Sequence, residues 1–211
     1  MNDDTTRVFE LTLTGQLSLD FVNTLDWRES DHANDFINTY SDLVLWGQHA
    51  KVLTKHEARN LLREAERSGG GSASALEGAL LLRETLFRVF SAIIDKRRPK
   101  KSDLDFFNGK LAEAFSHLRV APAAQGFALE WESNDSSGDQ NLNCLMWSIT
   151  RAACELLTSA DVSQLRRCAG EGCGWLFLDT SRNQSRRWCY MSVCGNRAKA
   201  RRFYRQVKAS R

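Results

Sequence analysis

The chain is 211 residues long, 42% hydrophobic and 26% charged, ordinary globular values that exclude wholesale disorder. No apolar run approaches the roughly 18–20 residues of a membrane-spanning helix, and the polar, acidic start Met1-Asn2-Asp3-Asp4 lacks the order of an export signal, so a cytoplasmic protein is expected. The net charge of +3 hides two opposite fields: residues 166–211 hold 12 Lys/Arg against two acids, and residues 1–165 hold 17 against 24, so the C-terminal part attracts polyanions.

In chain order, Phe9 to Leu13 alternates apolar and polar residues as a half-buried strand does. After Gly15, Leu17, Phe21 and Leu25 recur every four residues, predicting a short helix through Asn23 and Thr24. A second helix is expected from Asp35 to Val52. Thr54 followed by Glu57 predicts a capping box for a third, ending before Ser68-Gly69-Gly70-Gly71-Ser72, which reads as a flexible linker. Leu76, Ala79, Leu80, Leu86, Phe90 and Ile93 place a long helix over 75–95, and Ser102 opens another that reaches His117. Residues 118–121 and Phe127–Trp131 flank a turn sequence and predict a hairpin. A last helix spans about 141–158. The expected architecture is α+β: a mainly helical domain over 1–160 with a small antiparallel sheet, followed by a module over 161–211 that ends in a basic helix.

That module carries the chemistry. No cysteine precedes Cys144, and four of the six lie in the basic tail as Cys168-x4-Cys173 and Cys189-x4-Cys194, 15 residues apart. Two such knuckles can present four thiolates to one tetrahedral Zn²⁺ in a closed site, which is structural because no coordination position stays open. Four unpaired thiols or two labile disulfides are the rival reading. A module of this size and charge has little core of its own, and metal ligation compensates for that. Trp175 to Asp179 reads as a strand between the knuckles. Beyond Cys194, Asn196 is the expected N-cap of a helix on which Ala200, Phe203, Tyr204 and Val207 form an apolar stripe. Arg197, Arg201, Arg205 and Lys208 form the neighbouring stripe, with Lys199 and Arg202 at its edges. The apolar stripe is expected to dock on the metal module and the cationic one to face phosphates, joined by Arg182, Arg186 and Arg187 from the preceding loop.

At these residues the sequence resembles the CGNR zinc-finger family: Cys168-x4-Cys173, Leu176-Phe177-Leu178-Asp179-x-Ser181, Arg187-Trp188-Cys189 and Cys194-Gly195-Asn196-Arg197. The last tetrapeptide gives that family its name. Leu19-Asp20-Phe21-Val22-Asn23-Thr24 resembles the opening motif of the ABATE domain. The resemblance implies a stress-linked bacterial transcription regulator, or an RNA-binding zinc-ribbon-like protein, with Cys168, Cys173, Cys189 and Cys194 holding one zinc. DNA is the expected partner ahead of RNA. An adaptor gripping an acidic protein surface is the rival from another class.

Within the N-terminal part, Asp20, Asn23, Thr24 and Trp27 would share one side of the first helix, beside Arg28, with Arg83 able to pair with Asp20. Two readings stand: a pocket for a small effector, or a hydrogen-bond network that fixes the fold. The same domain is expected either to sense a signal or to pair two copies of the chain. An enzyme is not expected. His32, His49, His56 and His117 are scattered, the glycine run lacks a following Gly-Lys-Ser/Thr, and Cys144 and Cys154 sit in an apolar helical pattern.

Overall fold

The computed structural model describes residues 13–132 and 141–209. Its elements are α1 (Leu17–Val22), β1 (Leu25–Asp26), β2 (Asn34–Asp35), α2 (Tyr40–His49), α3 (Lys55–Arg67), α4 (Gly71–Ile94), α5 (Lys101–Ser116), β3 (Leu118–Pro122), β4 (Phe127–Trp131), α6 (Cys144–Thr158), a 3-10 turn (Ala160–Gln164), β5 (Leu165–Arg167), β6 (Leu176–Leu178), a π turn (Met191–Gly195) and α7 (Asn196–Ala209). The expected α+β class is what is found: helices with three two-stranded antiparallel pairs, β1–β2, β3–β4 and β5–β6. No described helix is long and apolar enough to cross a membrane.

Local rules explain most element ends. The Thr54 hydroxyl accepts from Glu57 N–H while the Glu57 carboxylate accepts from Thr54 N–H, the expected box at the start of α3. Thr39 and Asp42 build a second box, so α2 starts at Tyr40 rather than at residue 35. The chain before it is extended instead: Asp35 pairs with Leu25 across β1–β2. α1 stops at Val22, the chain passes into β1 at Leu25, and Trp27, with a left-handed φ of 50°, follows that strand. The glycine stretch is no linker. Only Gly69 and Gly70 have positive φ, and α4 already begins at Gly71. Ser102 caps nothing, since α5 starts one residue earlier at Lys101 without a side-chain cap. The expected β3–β4 hairpin forms, with Leu118 opposite Trp131, and β3 runs one residue further than expected, to Pro122 opposite Phe127. α6 begins at Cys144, three residues later than the apolar pattern suggests. The expected strand from Phe9 falls outside the described residues except for Leu13, which is not in a strand.

The main core joins α1, α2, α4 and α6 through Leu19, Phe21, Leu43, Trp46, Leu86, Phe90, Leu145 and Trp147, all buried. α2 approaches α6 closely at Gly47, where a Cβ would stand 2.8 Å from a methyl of Leu145. Two residues of the C-terminal part, Leu165 on β5 and Leu176 on β6, belong to this same core. A smaller cluster of Cys168, Cys173, Trp175, Phe177, Cys189 and Cys194 adjoins it. The tail is therefore mortised into the helical part through its first hairpin.

Candidate metal centre and its basic helix

β5 and β6 hold the two sides of the first knuckle, with Cys168 N–H donating to the Trp175 carbonyl at 2.8 Å. The second knuckle is carried by the loop after β6 and by the π turn. Asp179 fixes that loop: buried, it accepts from Ser181 N–H at 3.0 Å, Ser181 Oγ at 2.5 Å and Arg186 N–H at 2.9 Å. The Ser181 hydroxyl and these N–H groups hold its carboxyl below the usual range. The Arg186 guanidinium then spans back across the Phe177 ring, 4.5 Å from its centre, and donates to the carbonyls of Trp188 and Cys189. These bonds account for Asp179 and Ser181 of the Leu-Phe-Leu-Asp-x-Ser segment as scaffolding, with Arg186, just before the Arg-Trp-Cys segment, holding the backbone of Trp188 and Cys189.

The four cysteine sulfurs lie within 4.8 Å of one another and all four residues are buried. A tetrahedron with Zn–S bonds of about 2.3 Å has edges of about 3.8 Å. Cys173 and Cys189 are 3.7 Å apart, and Cys189 and Cys194 3.6 Å. These separations fit a metal tetrahedron and exceed the roughly 2.05 Å of a disulfide; all six cysteines are free. Backbone N–H groups of Gly170 and Cys189 point at Cys168 Sγ, at 3.4 and 3.3 Å. The other three cysteines together with that N–H pull the Cys168 thiol down, while Cys173 is pushed up. A divalent cation relieves this rivalry by stabilising all four thiolates at once. The residues therefore fit zinc.

The terminal helix departs from expectation in three respects. Asn196 is not its cap: it lies within the helical run and its side-chain amide donates to the Ser192 carbonyl at 3.1 Å. The apolar stripe does not dock, for Phe203 is 62% exposed and Tyr204 71%. The face that packs on the module is instead cationic. Arg197 stacks on Trp27 at 4.4 Å, and Arg201 pairs with Glu171 at 2.5 Å. These two and Arg186 are thus held by the protein itself. Among the described residues, Arg182, Arg187, Lys199, Arg202, Arg205 and Lys208 have no ion pair and no side-chain hydrogen bond. Arg187, Lys199 and Arg202 converge with Trp188 and Met191 on an open groove of about 340 Å³. The centre of the free cationic face is therefore at 199 and 202, positions that the helical stripe pattern puts at its margin.

The N-terminal polar residues are brought together only in part, and each has a partner within the protein. Asp20 accepts from Thr14 N–H, and burial raises its carboxyl to about 6. Asn23 donates to the Leu176 carbonyl and accepts from the Leu176 N–H, both at 2.9 Å, a link that leaves no trace in the sequence pattern. Thr24 donates to the Phe21 carbonyl and accepts from Arg83. Arg83 pairs with Asp35, at 2.7 and 2.5 Å, and not with Asp20. Arg28 pairs with Glu84 and lies over Phe87. An open cavity nearby, about 320 Å³, lies between the β1–β2 segment and the metal knuckles and is lined by none of these five.

Two family models match the chain. The CGNR zinc finger covers residues 164–206. ABATE, described as "Putative stress-induced transcription regulator", covers residues 15–160. No curated protein matches it. With the first model on the cysteine tetrad and the second on the helical part that grips it, the chain belongs to the ABATE family and ends in a CGNR zinc finger.

Proposed function

We propose that this protein is a cytoplasmic transcription regulator that binds DNA through its C-terminal module, with a single structural zinc shaping the binding face and residues 15–160 acting as the regulatory part. The observation that carries this reading is the groove between the second knuckle and α7. Arg187, Lys199 and Arg202 line it with no acid among them, and Trp188 and Met191 supply its floor. Arg187 lies over the Trp188 ring at 5.2 Å but, like Lys199 and Arg202, has no acid partner among the described residues, and three such cations on a small scaffold repel one another until an anion arrives. Arg182, Arg205 and Lys208, also unpaired, extend the field along the loop and the helix. A backbone of regularly spaced phosphates matches such a strip better than one carboxylate would. When bound, zinc supplies no reaction chemistry; it fixes the knuckle that positions Arg187 and Trp188.

The proposed role includes no catalytic step. Four thiolates fill a tetrahedral ion, burial pushes the Cys144 thiol up to about 12, and His117 is stacked on Trp147 at 4.0 Å. The test compares wild type with the Arg187→Glu/Arg202→Glu double variant. Fluorescence anisotropy follows labelled duplex DNA, single-stranded RNA and an acidic peptide at two salt concentrations. Duplex affinity should fall in the variant, and its log–log salt slope should flatten by about 0.9 for each phosphate that is no longer neutralised. Tighter binding of the RNA would make this an RNA-binding protein. Retention of the peptide alone would make it an adaptor.

A further inference from the structure

The cavity of about 320 Å³ between β1–β2 and the zinc finger has an unusual wall. Trp27 and Phe36 line it from the N-terminal part, Trp175 and Tyr190 from the finger, and its one carboxylate is Asp26; no Lys or Arg lines it. Aromatic faces carry negative charge density and attract cations, most strongly where water is thin. Three of the cysteines, Cys173, Cys189 and Cys194, border it as well. A zinc with four thiolates keeps a net negative charge, so that border adds to the same field. Arg197 shows the preference already, resting on Trp27 from outside the cavity at 4.4 Å.

A second observation concerns hydrogen bonding. The Trp175 indole N–H is buried and meets no acceptor at full hydrogen-bond distance, but it lies near enough to Asp26 to favour that carboxylate, as does Arg197; burial dominates all the same and raises the Asp26 carboxyl. Asp26 also accepts from Trp27 N–H, at 2.8 Å. The cavity thus offers a desolvated carboxylate, without an ion pair among the described residues, between aromatic walls.

From this juxtaposition we infer that the cavity is a binding site for a compact organic cation, a quaternary ammonium of choline type, seated between Trp27, Trp175 and Tyr190 with its charge toward Asp26. The inference deepens the regulatory role proposed for residues 15–160 and rests on it. Because Trp27 touches both the cavity and Arg197, the second residue of α7, an occupant braces the root of the basic helix.

The experiment uses the zinc-loaded full chain in calorimetric titrations with choline and with 3,3-dimethylbutan-1-ol, which has the same shape without the charge. Choline should bind one per chain and at least about tenfold more tightly than the neutral alcohol. Asp26→Asn should remove most of that preference while zinc content stays the same. Trp175→Phe should weaken choline and tetramethylammonium by a similar factor, because both present a quaternary ammonium to that ring. Equal affinity for choline and the alcohol, or no binding of either, overturns the inference even if both variants fail to fold. Duplex affinity measured without choline is a separate readout, so loss of this site leaves the DNA-binding proposal intact.

Discussion

Asn23 is the residue whose loss should reveal how the two parts are joined. Its side-chain amide closes a ring of two 2.9 Å hydrogen bonds with Leu176, 153 positions further on. Asn23 is 1% exposed and Leu176 fully buried, so no water can replace the amide. Asn23→Ala leaves a buried N–H and a buried carbonyl unpaired, each costing about 1–3 kcal/mol, and the variant should lose roughly 2–6 kcal/mol. That is a large share of the roughly 5–15 kcal/mol expected for a domain. Urea denaturation of zinc-loaded protein measures the loss. The amide of Leu176 should also exchange hydrogen faster, and a chelator should take zinc sooner, because β6 leads directly out of the first knuckle. A loss below about 1 kcal/mol with unchanged zinc release would refute the view that this contact locks the finger.

Burial raises Asp20 from 3.8 to about 6, so the folded state binds more protons than the unfolded one across that interval. Wild-type stability therefore falls as pH climbs through about 4–6, and Asp20→Asn, which keeps an acceptor for Thr14, should gain about 1–3 kcal/mol at neutral pH. Urea melts of both proteins at about pH 5 and 7.5 test the sign; an advantage that shrinks as pH rises is the wrong result. Cobalt in place of zinc should show the absorption of a tetrahedral thiolate site in roughly one-to-one stoichiometry, and Cys189→Ser should lose it. Gly172 has a φ of 79° and a Cβ there would stand 2.9 Å from Cβ of Ser30. Gly172→Ala should cost about 1–3 kcal/mol in the same melts; a neutral result would mean that the 29–30 loop yields freely.

What the sequence disclosed followed the range of the interaction. The Thr54–Glu57 box, the β3–β4 hairpin and the long α4 depend on residues a few positions apart, and each could be read. So could the cysteine tetrad, because two short spacings state its chemistry. The Thr39–Asp42 box obeys the same local rule, but apolar periodicity reaching back to Phe36 extends the expected helix too far. Trp27 could not be placed: a tryptophan with positive φ breaks its own preference and is held there by distant partners, among them Arg197. The two stripes of α7 were visible as stripes. Which one docks was not, since Glu171 and Trp27, the partners that decide it, lie 30 and 170 positions away from Arg201 and Arg197.

The stretches that carried the family resemblance now have a common physical meaning. Asn23, in the opening motif, holds the backbone of Leu176, in the finger motif. Asp179 and Arg186 brace the second knuckle from within, and Arg197 of the final tetrapeptide rests on Trp27. Each of these side chains serves the junction or the scaffold, and none is free to meet a phosphate. On the DNA-binding reading proposed above, the residues left to meet phosphate are Arg182, Arg187, Lys199, Arg202, Arg205 and Lys208, and all but Arg187 stand outside the recognisable motifs. A signature built this way states how the finger is attached, while the specificity of what it grips belongs to the positions around it. Exchanging residues 199–208 between relatives should therefore move binding preference without disturbing the zinc, whereas exchanging Asn23 or Asp179 should disturb the zinc first.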